Sequence, residues 1–364
     1  MRGRARDHGV RIGVLPTGPH NAITDVAGVL VGHATVVHDT PTVARTGVTV
    51  VLPNDGRIFR ERVLGNAFVL NGAGELTGIT QVCEWGLIET PIALTNTMSV
   101  GPVHDGLVRA MLRDHPGIGD EHDVLIPVVG ECDDSWLNDV TARHVTPDHV
   151  DAAMAAARSG PVAEGSVGAG TGMITCDLKA GIGTSSRIVD VAGDPVTVGV
   201  LVLANFGTLD QLRVDGFAFG RHLERIGWAA ERRINNYGSI VVVVATDAPL
   251  TPSQLGRVAR RAALGVGRCG STANHGSGEI VLAFSTGNAV PRDPDATRWT
   301  WTIVPDRRID PLYAATIDAT EEAILNALFA AEPVVGRNGR RIEALPVDVW
   351  DDVRRRLDLG GAPG

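Results

Sequence analysis

The side chain whose setting most invites chemistry is a serine. Residues 268–285 read RCGSTANHGSGEIVLAFS, a polar, glycine-rich segment that passes through Gly276-Ser277-Gly278 into the apolar run Ile280–Phe284. Such a junction sets a small hydroxyl residue at a strand start, and its glycines admit backbone angles that bulkier residues resist. A serine hydroxyl becomes a nucleophile only when a base takes its proton. His275 lies close by in sequence, but near-adjacent side chains on an extended backbone have fixed directions and need not meet. Loop packing is therefore the expectation for His275. An acyl oxyanion needs donors set in place beforehand. Asn205 ends the buried run LVLANFG and is the leading candidate, because an amide at a strand end can point into a cleft. Asn236, just before Gly238, is the second. Turn formation is the plain alternative for both asparagines. The eleven histidines and the cysteines Cys83, Cys132, Cys176 and Cys269 show no metal-ligand spacing, so neither metal nor other cofactor is expected.

The GSG segment is one of eight blocks that lie in order along the chain. The others are NAITDVAGVLVGH (Asn21–His33), NGAGELTG (Asn71–Gly78), TNTMSVG (Thr95–Gly101), GAGTGM (Gly168–Met173), GIGTSSR (Gly181–Arg187), VATDAPL (Val244–Leu250) and ATEEAILNAL (Ala319–Leu328). On these blocks the chain resembles the self-cleaving N-terminal-serine hydrolases typified by L-aminopeptidase/D-esterase (DmpA-like) and the β-aminopeptidases. The resemblance implies cleavage at Gly276–Ser277 within Asn274–Thr286, giving fragments 1–276 and 277–364 of a single catalytic domain. It also explains why a break is needed. A peptide nitrogen is no base, whereas the α-amine it becomes, which ordinarily titrates near about pH 8, can take the serine proton. Thr320 and Glu322 of the ATEEA block would orient that nucleophile and amine. Helix geometry keeps Glu321 as a rival, because Thr320 and Glu321 fall on the apolar stripe of Tyr313, Ile317, Ile324 and Leu328. Glu322 lies about 160° away on a regular helix. Cys176 stands where relatives carry a pocket tyrosine, which implies a smaller substrate-pocket wall. Glu75 in NGAGELTG is a candidate anchor for a substrate's amino group.

Composition bounds the remaining possibilities. With 364 residues, 44% of them apolar, the chain can bury a sizeable core, and 44 glycines imply closely packed layers. A net charge of −9 argues against a nucleic-acid partner, which needs clustered cations. The arginines of residues 2–6 and 354–356 read as solvated ends. No run approaches 18 apolar residues, so no membrane span is expected. The first residues lack the apolar core of a signal peptide, and the scattered cysteines suit a reducing compartment, so a cytoplasmic location is expected.

Periodicity and turn residues predict strands at Val26–Val37, Val48–Leu52, Pro91–Leu94, Val124–Val129, Val196–Ala204, Ile240–Ala245, Ile280–Phe284 and Thr300–Ile303. They predict helices at Thr77–Gly86, Pro102–Asp114, Val150–Ala157, Pro252–Leu264 and from Asp310, as N-cap, to about Ala331. This pattern alone gives an α/β or α+β layered sandwich. The resemblance sharpens it to an αββα architecture with mixed sheets between helix layers. The function expected is removal of an N-terminal residue from a small peptide, amide or ester through an acyl-enzyme on Ser277. The alternatives are an acyltransferase of the ornithine-acetyltransferase type and an uncleaved binding protein. A homo-oligomer, with a tetramer as its size, follows from the assembly of relatives.

Overall fold

The computed structural model describes residues 2–191, 193–228, 238–292 and 295–357. In chain order the strands are β1 (Leu30–His38), β2 (Ala44–Leu52), β3 (Glu61–Gly72), β4 (Leu87–Ile88), β5 (Ile92–Asn96), β6 (Val128–Cys132), β7 (Ile174–Thr175), β8 (Leu178–Lys179), β9 (Ile182–Val191), β10 (Asp194–Asn205), β11 (Gly238–Thr246), β12 (Ser277–Pro291), β13 (Val334–Val335) and β14 (Arg341–Ile342). The helices are α1 (Ile79–Trp85), α2 (Val100–Asp114), α3 (Pro147–Ala155), α4 (Phe219–Arg225), α5 (Pro252–Arg268), α6 (Asp310–Ala330) and α7 (Val347–Leu357).

One sheet has the order β1-β2-β5-β6 and the other β4-β3-β12-β11-β10-β9. Alternation along the strands divides the buried side chains among three layers. In β11, Val241, Val243 and Ala245 enter the core between the sheets, with Leu94, Val128 and Cys132 from the smaller sheet. Ile240, Val242 and Val244 face the opposite way, into a core shared with α5 and α6. A third core lies between β2, β5 and the helices α2 and α3. The result is the αββα layering expected. Close approach of the layers requires glycine: a Cβ at Gly183 of β9 would stand 1.9 Å from the Ala323 carbonyl of α6.

Three local expectations are corrected. Residues 300–303 form no strand; the Asn288 amide takes both backbone polar groups of Thr302, donating to its carbonyl at 2.9 Å and accepting from its N–H at 3.1 Å. Asp310 is the first residue of α6 and not its N-cap, which is Ile309. The N-terminal arginines are not free ends: Arg4 pairs with Glu164 at 2.7 Å and Arg6 with Glu322 at 2.6 Å. Ala5 between them is fully buried, its N–H donating to Asn326 Oδ1. Among the described residues no helix is long and apolar enough to cross a membrane.

Candidate active site

The molecule holds two Gly–Ser junctions side by side, each opening a buried strand. β11 and β12 are parallel, and their register sets Gly238 beside Ser277 and Ser239 beside Gly278. On its other side β11 runs antiparallel to β10, with Ser239 directly opposite Asn205. Ser239 and Asn205 share the face that points toward the smaller sheet, as Val241 and Leu203 do two residues on. Side chains so opposed have Cβ atoms about 4.5–5.5 Å apart. Both residues are buried. Asn205 is held rigidly, Oδ1 accepting from Ile174 N–H at 2.9 Å and Nδ2 donating to the Asp133 carbonyl at 2.8 Å. An amide has two hydrogens, so this arrangement leaves one for an oxyanion. Only glycine fits before Ser239: a Cβ at Gly238 would come within 2.7 Å of the Asn205 carbonyl.

The second junction is organised differently. The Ser277 hydroxyl donates to Glu279 Oε1, and its N–H donates to the Asn274 carbonyl at 2.8 Å. Asn71 Nδ2 secures the turn, donating to the carbonyls of Asn274 (2.9 Å), His275 (3.2 Å) and Ser277. Glu279 is buried, yet its Oε2 has no hydrogen-bond partner. Burial raises its pKa, against the opposing effect of the Ser277 bond. A buried, unsatisfied carboxylate oxygen costs about 1–3 kcal/mol or more, so a donor arriving there would be bound well. The Ser239 nitrogen belongs to the neighbouring strand, about 4.8 Å away across the sheet. It lies in the sheet plane, level with the Ser277–Glu279 segment.

A further carboxylate lies buried close to this region. Glu131, in β6, is 3% exposed. Its Oε1 accepts from the Glu75 N–H at 2.8 Å and its Oε2 from the Thr97 hydroxyl. A side chain at Gly74 would meet both Glu131 Oε1, at 3.1 Å, and Gly278 Cα, at 3.6 Å. Residue 74 must therefore be small for Glu131 to reach the Ser239 neighbourhood. No ion pair to Glu131 is present among the described residues. Burial raises its pKa, while the Thr97 bond acts in the other direction.

Comparison with known proteins identifies the family and fold. Residues 21–342 match peptidase family S58. A β-peptidyl aminopeptidase of Sphingosinicella xenopeptidilytica is 43% identical over 95% of this chain and 89% of its own length. The chain belongs to peptidase family S58. It is therefore a hydrolase. The solved L-aminopeptidase/D-Ala-esterase/amidase of Ochrobactrum anthropi, described as a variant of the Ntn hydrolase fold, superposes with a TM-score of 0.91 at 38% identity, covering 98% of this chain and 99% of that one. A Burkholderia sp. β-aminopeptidase superposes with a TM-score of 0.90 at 42% identity, covering 99% and 100%. The expected N-terminal-nucleophile aminopeptidase class is met at the level of family and fold.

Within this S58 chain several expected site residues do not converge. Glu322 is fully buried on α6, bound by Arg6 at 2.6 and 2.9 Å, by Arg187 at 2.6 Å and by Asn21 at 2.5 Å. Burial would raise its pKa, but the hydrogen bonds and charges of Arg6 and Arg187 bring it below the ordinary value. It anchors the N-terminal segment and is not beside Ser277. The Thr320 hydroxyl is spent within its own helix, donating to the Thr316 carbonyl at 2.7 Å. Glu321, the rival, pairs with Arg268 at 3.3 Å. The stripe argument failed because α6 is buried on nearly every side, Thr316, Thr320, Glu321 and Glu322 included. Cys176 sits in the helix-side core near Gly207, turned there by a positive φ of 53°, and does not face the space between the sheets. Glu75 reaches the site through its N–H, its side chain being exposed. His275 is an exposed turn residue, so the packing expected of it is not found. Asn236 lies outside the described residues. Sequence reasoning missed Ser239, Glu279 and Glu131. The first had a signal, since Gly238-Ser239 opens a β-branched run just as Gly276-Ser277 does.

Proposed function

We propose that this S58 hydrolase is an aminopeptidase that breaks its own chain at Gly238–Ser239 and works through the freed Ser239. The observation that carries the reading is the two-sided setting of Ser239. Its side chain shares a face with Asn205, while its backbone stands beside Gly278, between Ser277 and Glu279 with its unpartnered Oε2. In the precursor the Ser239 hydroxyl attacks the Gly238 carbonyl carbon, and the acyl group moves from nitrogen to oxygen. Water then hydrolyses the resulting ester, leaving a Gly238 carboxylate and a free Ser239 α-amine. In the mature enzyme that amine takes the hydroxyl proton as Oγ attacks a substrate's acyl carbon. Asn205 Nδ2–H steadies the oxyanion. The protonated amine, held by Glu279 and Ser277, gives its proton to the leaving amine or alcohol, and water releases the acyl group by the reverse route.

Glu131 would anchor the substrate's ammonium, as a buried carboxylate with no ion pair among the described residues. Small aminoacyl amides, esters and peptides are the substrate class this supports. The similar proteins named as β-peptidyl aminopeptidases and L-aminopeptidase/D-Ala-esterases point the same way. The Gly276–Ser277 bond is the competing scissile bond, favoured by the direct Ser277–Glu279 bond. Against it, Asn205 is two strands away from Ser277 in the sheet order. A homo-oligomer, a tetramer by expectation, acting in the cytoplasm completes the proposal; mass in solution tests the assembly.

N-terminal sequencing of the purified protein's smaller fragment is the test. A start of Ser-Ile-Val-Val supports the break at Gly238–Ser239. A start of Ser-Gly-Glu-Ile returns the nucleophile to Ser277, and an uncut, folded chain rejects self-processing altogether.

A further inference from the structure

Lys179 of β8 is fully buried. Its Nζ donates to three backbone carbonyls, those of Gly170 at 3.1 Å, Met173 at 2.9 Å and Ala180 at 2.6 Å. Three acceptors take three hydrogens, so this cage fits the ammonium form. Burial by itself lowers the Lys179 pKa to about 7, and the Asp134 charge acts the other way. The cage is closely built: a Cβ at Gly181 would stand 2.4 Å from the Gly170 carbonyl oxygen. One of its three bonds leads to the site. The Met173 carbonyl and the Ile174 N–H belong to one planar peptide unit and point opposite ways. Lys179 Nζ binds the oxygen of that unit, and its N–H donates to Asn205 Oδ1 at 2.9 Å. A donor at the carbonyl polarises the unit and strengthens its N–H.

We propose that Lys179 is a positioning residue, holding the Met173–Ile174 peptide so that its N–H fixes the Asn205 amide with one Nδ2 hydrogen left for the oxyanion. The role rests on Asn205 being the oxyanion donor. The Ile174 bond decides which way round the amide sits, with Oδ1 toward Ile174 and Nδ2 toward the Asp133 carbonyl. Without the ammonium, three carbonyl oxygens converge on a space that offers them no hydrogen, and the peptide turns to relieve them. Asn205 then turns with it, and the developing charge loses its donor. Substrate carries no such charge before attack, so the loss falls on kcat.

A double-mutant cycle separates positioning from packing. Lys179→Met keeps the chain length and removes every donor. The wild type, Lys179→Met, Asn205→Ala and the double variant are assayed for kcat per processed chain and KM on an aminoacyl p-nitroanilide, beside the thermal midpoint. Misplacement of a catalytic group costs up to about 100-fold, so Lys179→Met should lower kcat roughly 10–100-fold with KM within about twofold. Coupled residues are not additive, so in the Asn205→Ala background the same substitution should cost less than about threefold. An unchanged kcat in Lys179→Met would overturn the proposal. So would losses that multiply in the double variant, the mark of an independent structural role. Should Lys179→Met not fold, Lys179→Gln takes its place in the cycle with the same expected coupling. If neither folds while Asn205→Ala does, Lys179 is a core-building residue and the proposal falls. An Asn205→Ala variant with full kcat overturns the underlying oxyanion assignment instead, whatever Lys179→Met does.

Discussion

Gly238–Ser239 and Gly276–Ser277 share a dipeptide, lead into adjacent parallel strands and bury their serines, yet their surroundings differ. Around Ser239 stand the groups our proposal sets to act on an acyl carbon: the Asn205 amide across the ladder and the buried Glu131, which approaches Gly278 beside Gly74. Around Ser277 are groups suited to an amine: a carboxylate bonded through one oxygen and bare at the other. A nucleophile that uses its own amine as base needs both sets. In the proposed mechanism one Gly–Ser supplies the reacting residue and the other the pocket for its nitrogen. Identical local sequence can thus take different roles when the strands on either side differ.

The largest expected effect contrasts the two serines. Ser239→Ala should leave the chain uncut and reduce activity on the order of 10⁴-fold or more, as loss of a nucleophile does. Ser277→Ala should still be cut, more slowly, with activity down about 100-fold, as removal of a supporting acid–base contact costs. Gel analysis and kcat/KM on the two variants check this, and the reverse order would exchange the roles. Asn205→Ala comes next, with kcat lower by about 10²–10³-fold and KM little changed, the usual cost of a lost oxyanion donor; equal losses in substrate affinity would argue for a packing role.

Glu131→Gln should act mainly on KM. A hydrogen-bonded charge is worth about 1.5–3 kcal/mol, which corresponds to a KM roughly 10–100-fold higher. Its pH dependence gives the sign. Because the folded carboxyl has a raised pKa, its ionised form is lost at a higher pH than for an ordinary glutamate. KM should therefore climb as pH falls through that raised value, and the acid limb should flatten in Glu131→Gln. A limb unaltered by the substitution would place the titrating group elsewhere. The smallest effect on catalysis belongs to the outlying acid. Glu322→Gln should lower stability by about 3–5 kcal/mol by leaving buried Arg187 without its partner charge. The kcat of the folded, processed fraction should hold within about twofold, since that cluster lies apart from the site. Chemical denaturation beside activity measures both.

Much of the fold was legible because strands and helices announce themselves locally. The β-branched runs before and after Gly238 and Ser277, and the helix spacing of α2 and α5, lie close to the elements found. The failures share a cause. Residues 300–303 look like a strand until a distant asparagine side chain takes the backbone bonds of Thr302. Glu322 stood out as a motif acid, but its charge belongs to Arg6, Arg187 and Asn21, which join it from far along the chain.

By itself the sequence determined the layered architecture, the hydrolase family through its ordered blocks, and the chemistry of a small hydroxyl residue after glycine at a buried strand start. Those properties depend on neighbours within a few residues or on patterns repeated along the chain. The choice between the two Gly–Ser junctions, and of the carboxylates beside them, rests in our proposal on tertiary structure alone. The juxtapositions it rests on are cross-strand and cross-sheet: Asn205 opposite Ser239, Ser277 level with Gly238, and Glu131 of the smaller sheet bonded to the Glu75 N–H. Strand order and register create such contacts, and neither is written in the spacing of residues along one strand.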